Sequence, residues 1–204
     1  MIVTRTESLT KTKYKVDLDG QFAFVLYKGE LSRYGVKEGA ELTEEIVDEI
    51  YNTVLLKRAK KRAMHLLEDM DRTESGLREK LRQGLYPAEI IEKAIDYVRS
   101  FGYLNDARYA ENFILSRRNS KSRKEIHALL LGKGISDEEI SIAFENCYGN
   151  QEEQEAVRRI LEKKRVDPKT ADDREMQKIY GYLARKGFRY ETIRQVTQNY
   201  NENA

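Results

Sequence analysis

"IHALLLGKGISDEEISIAFENC" occupies residues 126–147, and two other stretches lie over it without a gap: "LREKLRQGLYPAEIIEKAIDYV" (77–98) and "IYGYLARKGFRYETIRQVTQNY" (179–200). The first positions are Leu77, Ile126 and Ile179, and four residues on stand Leu81, Leu130 and Leu183. Fourteen residues on are Ile91, Ile140 and Ile193, then Ala94, Ala143 and Val196 at seventeen and Val98, Cys147 and Tyr200 at twenty-one. Offsets 0 and 4 share one face of a helix, as do 14, 17 and 21. A glycine divides the halves each time, Gly134 and Gly187 in register and Gly84 one residue early. There a left-handed backbone ends the first helix of the pair at little cost.

Capping residues agree with this division. Ser136-x-x-Glu139 and Ser122-x-x-Glu125 read as capping boxes, and Pro87 suits a first helical turn. Each pair follows another helical stretch, over 58–70, 106–118 and 152–165. The unit is thus three helices, about fifty residues long, repeated three times. Such units bury their faces on one another, which predicts a mainly α, elongated array.

Residues 101–113, "FGYLNDARYAENF", join the first repeat to the second. Gly102 is placed just past a helix end, Asn105 as the next N-cap, and Asp106 in a first turn where the helix dipole favours negative charge. The N-terminal part differs in kind. Two β-prone runs, 14–18 and 22–27, flank Asp19-Gly20, a strong hairpin signal because a type I′ turn needs positive φ at both central positions. Thr43 then caps a helix that opens with Glu44 and Glu45. The expected segments are a hairpin element with its linking helix over 1–56, then repeats over 57–102, 103–149 and 150–204.

Composition narrows the function. The 204 residues are 35% charged and 40% hydrophobic with two prolines, which suits amphipathic helices. No apolar run approaches the ~20 residues of a membrane span, and the N-terminus lacks a secretory h-region, so no membrane contact and a cytoplasmic location are expected. One cysteine excludes an internal disulfide framework. A metal role is not expected of His65 or His127, and Cys147 falls in a core column. Neither GxxxxGK[ST] nor GxGxxG occurs. An enzyme, a metal or a cofactor is therefore not expected. No long heptad seam is present, and a monomer is expected.

Net charge is only +2, but it is unevenly placed: residues 1–56 sum to −3, 57–149 to +3 and 150–204 to +2. "KRAKKR" (57–62), "RRNSKSRK" (117–124) and "RRILEKKR" (158–165) hold five basic residues each. The candidate contacts to phosphate or an acidic protein face are Lys57, Arg58, Lys60, Lys61 and Arg62, then Arg117, Arg118, Lys121, Arg123 and Lys124. Lys163, Lys164 and Arg165 follow, with Arg185, Lys186 and Arg189. Among the aromatic residues, Tyr97, Tyr103, Tyr109, Phe113 and Tyr200 read as core, whereas Tyr182 and Tyr190 are the stacking candidates.

"GYLNDARYAENF" (102–113) resembles the signature of the RecX family, in which G-Y-L-[DN]-D-x-[RK]-[FY]-A opens the second of three helical repeats. "TESGLREKLRQG" (73–84), "LLLGKGI" (129–135) and "YLARKGF" (182–188) resemble the family's three repeats in order, and the likeness covers about residues 57–204. The N-terminal hairpin is similar to the extension of members from Gram-positive bacteria. "RRNSKSRKEI" (117–126) departs from the family by lacking a Gly-Pro at that joint. The resemblance implies a regulator of DNA repair and recombination, linked to the SOS response. It would bind the RecA recombinase, lodge along its nucleoprotein filament, and restrain ATP hydrolysis and strand exchange. Single-stranded DNA would be met directly or within the filament. Two other readings of the residues stand beside it: a stand-alone DNA-binding protein with helix-turn-helix readers, and a helical scaffold for another partner. The low net charge counts against the first.

Overall fold

The computed structural model describes the backbone of residues 1–202 and the side chains as far as Gln198. The chain divides into two compact units, Met1–Leu104 and Asn105–Ala204.

The first unit begins with three antiparallel strands in sequence order, β1 (Val3–Ser8), β2 (Lys13–Leu18) and β3 (Gln21–Tyr27). Asp19 (φ 48°) and Gly20 (φ 82°) make the β2–β3 turn, as the Asp-Gly pair predicts. The sheet has one strand more than the expected hairpin. β1 escaped the sequence reading because only Val3 along it is buried, so the strand carries no apolar alternation. A short helix α1 (Lys28–Arg33) follows, then α2 (Glu44–Glu49), whose first turn is capped by Thr43. A π-helical turn, Ile50–Leu55, carries α2 into α3 (Leu56–Asp69), so helix runs past residue 56 without a break. The helices α4 (Glu74–Gln83) and α5 (Ala88–Ser100) complete the unit. Its core is one cluster: Val16, Phe24 and Leu26 of the sheet join Ile50, Leu55, Ala59 and Ala63, and through them Leu77, Leu81, Ile91, Ala94 and Val98.

The second unit holds α6 (Asp106–Arg117), α7 (Arg123–Leu131) and α8 (Asp137–Cys147), then α9 (Asn150–Lys164), α10 (Asp173–Arg185) and α11 (Tyr190–Glu202). Each trio has its own apolar cluster, built around Ile126, Leu130, Ile140 and Phe144 in one and Ile179, Leu183, Ile193 and Val196 in the other. The columns read from the sequence are buried in all three repeats at offsets 0, 4, 14 and 17. At offset 21 Val98 is buried and Cys147 is half-buried, and the side chain of Tyr200 lies outside the described residues. The fold is mainly α, three three-helix units preceded by a three-stranded antiparallel sheet.

Caps position the helices. Asn105 Oδ1 accepts from the Arg108 amide at 2.9 Å, and Ser136 and Glu139 form a reciprocal box. Ser122 makes only half of its box. Its Oγ accepts from the Glu125 amide at 3.1 Å and donates to the Lys186 carbonyl at 2.7 Å. The Glu125 carboxylate turns instead to Lys121 and Lys186.

Candidate partner and nucleic-acid interface

The basic clusters are divided by what their charges already meet. On α3, Lys57, Lys61 and Arg62 are exposed, whereas Arg58 is committed inward. Its guanidinium donates to both Glu30 carboxylate oxygens at 2.6 Å and to the Val25 carbonyl at 3.1 Å, and it lies 4.5 Å from the Tyr27 ring centre. Lys60 sits 4.3 Å over the Tyr97 ring.

In the second unit, Arg118 is half-buried, donating to the Cys147 carbonyl at 3.1 Å and to Glu152 at 3.3 Å. Arg189 is spent in the same manner. It pairs with Glu153 at 2.7 Å and donates to Asn150 at 2.7 Å, and Glu153 is a nearly buried carboxylate that Thr192 also supports at 3.1 Å. Lys121 pairs with Glu125, and Lys186 stands 3.9 Å from the same carboxylate. Lys124 packs its stem over Gly187, so the 117–124 and 185–189 clusters meet along this edge. Arg117, Arg123, Lys163, Lys164, Arg165 and Arg185 are exposed and carry no carboxylate partner among the described residues. The Arg123 guanidinium lies over Phe144 at 4.6 Å and the Lys164 ammonium over Tyr182 at 4.0 Å, cation–π contacts made by the charged heads themselves.

Two aromatic expectations are corrected. Tyr103 is 50% exposed and stacks on exposed Phe101, because the turn at Gly102 lifts both off the core. Tyr182 is packed against the third cluster under Lys164 and offers no free face, whereas Tyr190 is 69% exposed. Cys147 is disfavoured as a nucleophile: burial pushes its thiol pKa up, and Glu111 adds to the shift. The described residues hold no cluster of three metal-ligating side chains, and no described helix is long and apolar enough to cross a membrane.

The α3 cluster faces a cleft of about 690 Å3 that the sequence did not reveal. Lys13 and Lys80, far apart in the chain, line it beside Lys61 and Arg62. The only local trace is the early Gly84, which leaves Leu85 where the other repeats have glycine.

Family models cover all three helical units: "RecX, first three-helix domain" over residues 59–97, "RecX, second three-helix domain" over 105–143 and "RecX, third three-helix domain" over 151–197. A "Regulatory protein RecX" of Caldanaerobacter subterraneus is 34% identical over 195 residues, covering 95% of this chain and 96% of that one. The chain belongs to the RecX family. A "Regulatory protein RecX" of Clostridium acetobutylicum is 28% identical, covering 98% and 97%. The fold agrees with a crystal structure of regulatory protein RecX at a TM-score of 0.67 and 24% identity, over 97% of this chain and all of that one. RecX from Lactobacillus salivarius gives 0.62 at 22% identity, over 72% of this chain and 97% of its own. The alignment with the Caldanaerobacter relative runs over 95% of this chain and so reaches into the residues before the first family model. A regulatory role follows at the level of the family.

Proposed function

We propose that the chain binds the RecA recombinase on its nucleoprotein filament and, without catalysis of its own, restrains ATP hydrolysis and strand exchange. Membership of a family of regulatory proteins supports this reading. The observation that carries it to particular residues is the set of unanswered cations in the second and third repeats: Arg117, Arg123, Lys124, Lys163, Lys164, Arg165 and Arg185. Several modest contacts on successive subunits of a polymer add to avidity without any one being strong. Arg58, Arg118 and Arg189 act inside this chain, as positioning groups for the elements they join.

The test is the single-stranded-DNA-dependent ATPase of the cognate RecA, titrated with this protein. Suppression at less than one chain per recombinase subunit is expected. Replacing Arg117, Arg123 and Lys124 by Glu should raise the concentration needed by at least about tenfold, the size of 1.4 kcal/mol in binding. An ATPase unaffected by saturating protein overturns the proposal.

A further inference from the structure

Four cations converge on the cleft of the first unit, and no acidic side chain lines it. The first residue of β2 is Lys13, α3 brings Lys61 and Arg62, and α4 brings Lys80. None of the four belongs to an ion pair among the described residues, although neighbouring cations are paired, Arg78 with Glu74 and Glu92, and Lys93 with Glu89. Walls of one charge focus the field and draw an anion in.

The remaining lining mixes the polar Thr10, His65 and Gln83 with apolar side chains, some of them uncovered. Leu9 is 41%, Tyr27 37% and Leu85 40% exposed, and all three line the cleft. The Arg58 guanidinium stands 4.5 Å over Tyr27, its charge answered by Glu30 and its plane held by the Val25 carbonyl. It is therefore a rigid flat surface, of the kind on which bases stack, and not a phosphate contact. Leu85 has a φ of 59°, where the equivalent Gly134 and Gly187 have 82° and 88°. A left-handed backbone strains a leucine, whose Cβ crowds the following carbonyl, and not a glycine. That strain keeps an apolar side chain at the rim of a basic cleft.

The ligand these walls fit is anionic and flat. An added peptide strand is poorly served, because two carbonyls of the outer strand β3 are already taken: Val25 by Arg58, and Ala23 by the Tyr51 hydroxyl at 3.3 Å. We propose that this cleft binds single-stranded nucleic acid, with phosphates on Lys13, Lys61, Arg62 and Lys80 and a base against the Arg58–Tyr27 stack and Leu85. The inference deepens the filament reading by giving it a strand contact, and bare strand tests it without recombinase.

The experiment is fluorescence anisotropy of a labelled twelve-residue oligo-dT with the full chain across a salt series. The double substitution Lys61→Glu and Arg62→Glu should weaken binding at least tenfold and flatten the log–log salt slope by about 1.4, at ~0.7 per phosphate contact on a single strand. Leu85→Gly should weaken binding about threefold while leaving the melting temperature unchanged or higher, a split that a packing defect would not give. The same charge reversal at Lys163 and Lys164 should change affinity less than twofold. Equal loss at Lys163 and Lys164 overturns the cleft in favour of bulk charge. Displacement of the oligonucleotide by polyglutamate at equal charge overturns it in favour of an acidic protein segment. Binding of free dTMP as tight as that of the oligonucleotide overturns the strand assignment. The ATPase titration is read separately, so the filament proposal can fail or stand on its own.

Discussion

Two seams in this molecule are built from opposite materials. Between the sheet and the first three-helix unit the contact is apolar: Phe24 and Leu26 of β3 and Val16 of β2 share one core with Ile50, Leu55 and Ala59. Between the second and third three-helix units the apolar clusters stay separate, and polar groups cross from one to the other. Ser122 donates to the Lys186 carbonyl, Arg118 reaches Glu152, and Gly187 lies against Lys124 and Ser122. An apolar seam draws its strength from area and resists opening as a whole. A polar seam depends on a few atoms in fixed geometry, so single substitutions decide whether it holds.

The largest effect should come from the apolar seam. Phe24 is fully buried and meets Tyr51 edge-on at 5.9 Å. Phe24→Ala should cost about 3–5 kcal/mol. In urea, the sheet and α3–α5 should lose structure in one shared transition; separate transitions would break the comparison. Next in size is Gly187→Ala at the polar seam. Gly187 has φ 88°, and an added Cβ would stand 3.0 Å from Lys124 Cβ and 3.1 Å from Ser122 Oγ. A cost of about 2 kcal/mol is expected, against about 1 kcal/mol for Gly102→Ala, where φ is 70° but no atom lies near. Hydrogen exchange should show α7 and α10 losing protection in the Gly187 variant while α3–α5 keep theirs.

A smaller effect is expected at Arg78, which ties α4 to α5 through Glu74 and Glu92. Burial works against the Glu74 carboxylate, yet hydrogen bonds from Arg99 and Arg78 outweigh it and hold its pKa below the ordinary 4.5. The Arg78 hydrogen bond likewise lowers Glu92, with burial opposing. Lowered carboxylate pKa values give stability that is present above the unfolded value and lost as pH falls through the folded one. Arg78→Met should therefore cost about 1 kcal/mol at pH 7, these groups being partly exposed, and the gap to the parent chain should close as pH falls below the ordinary carboxylate value of 4.5. A gap independent of pH would assign the loss to packing. The smallest effect is at Tyr148, whose buried hydroxyl has no hydrogen-bond partner among the described residues. Burial pushes its phenol pKa up, so the group stays neutral. Tyr148→Phe should be neutral or stabilising by less than about 1 kcal/mol in thermal melts.

Legibility followed the range of the interactions. The caps at Asn105, Ser122 and Ser136 and the turn at Asp19-Gly20 are local, and each was readable from neighbours a few residues away. Strand β1 was not, since VTRTES becomes a strand only by pairing with β2 and shows no apolar period of its own. Among the candidate contacts, the runs of charge were visible but their use was not. Arg58, Arg118 and Arg189 look like their neighbours in sequence and are distinguished only by Glu30, Glu152 and Glu153 across a packed face. Lys13 and Lys80 belong to no charge run, so nothing in the chain order marked them for one cleft.

By itself the sequence determined the three-helix repeat, its columns and its family, because helical periodicity and glycine stops act over a few residues and recur at fixed spacing. Tertiary structure alone decided that the sheet shares the first repeat's core, that the later repeats meet through polar atoms, and which cations remain unanswered. Those outcomes depend on which distant side chains come within a few ångströms, and charge and burial are settled only at that distance.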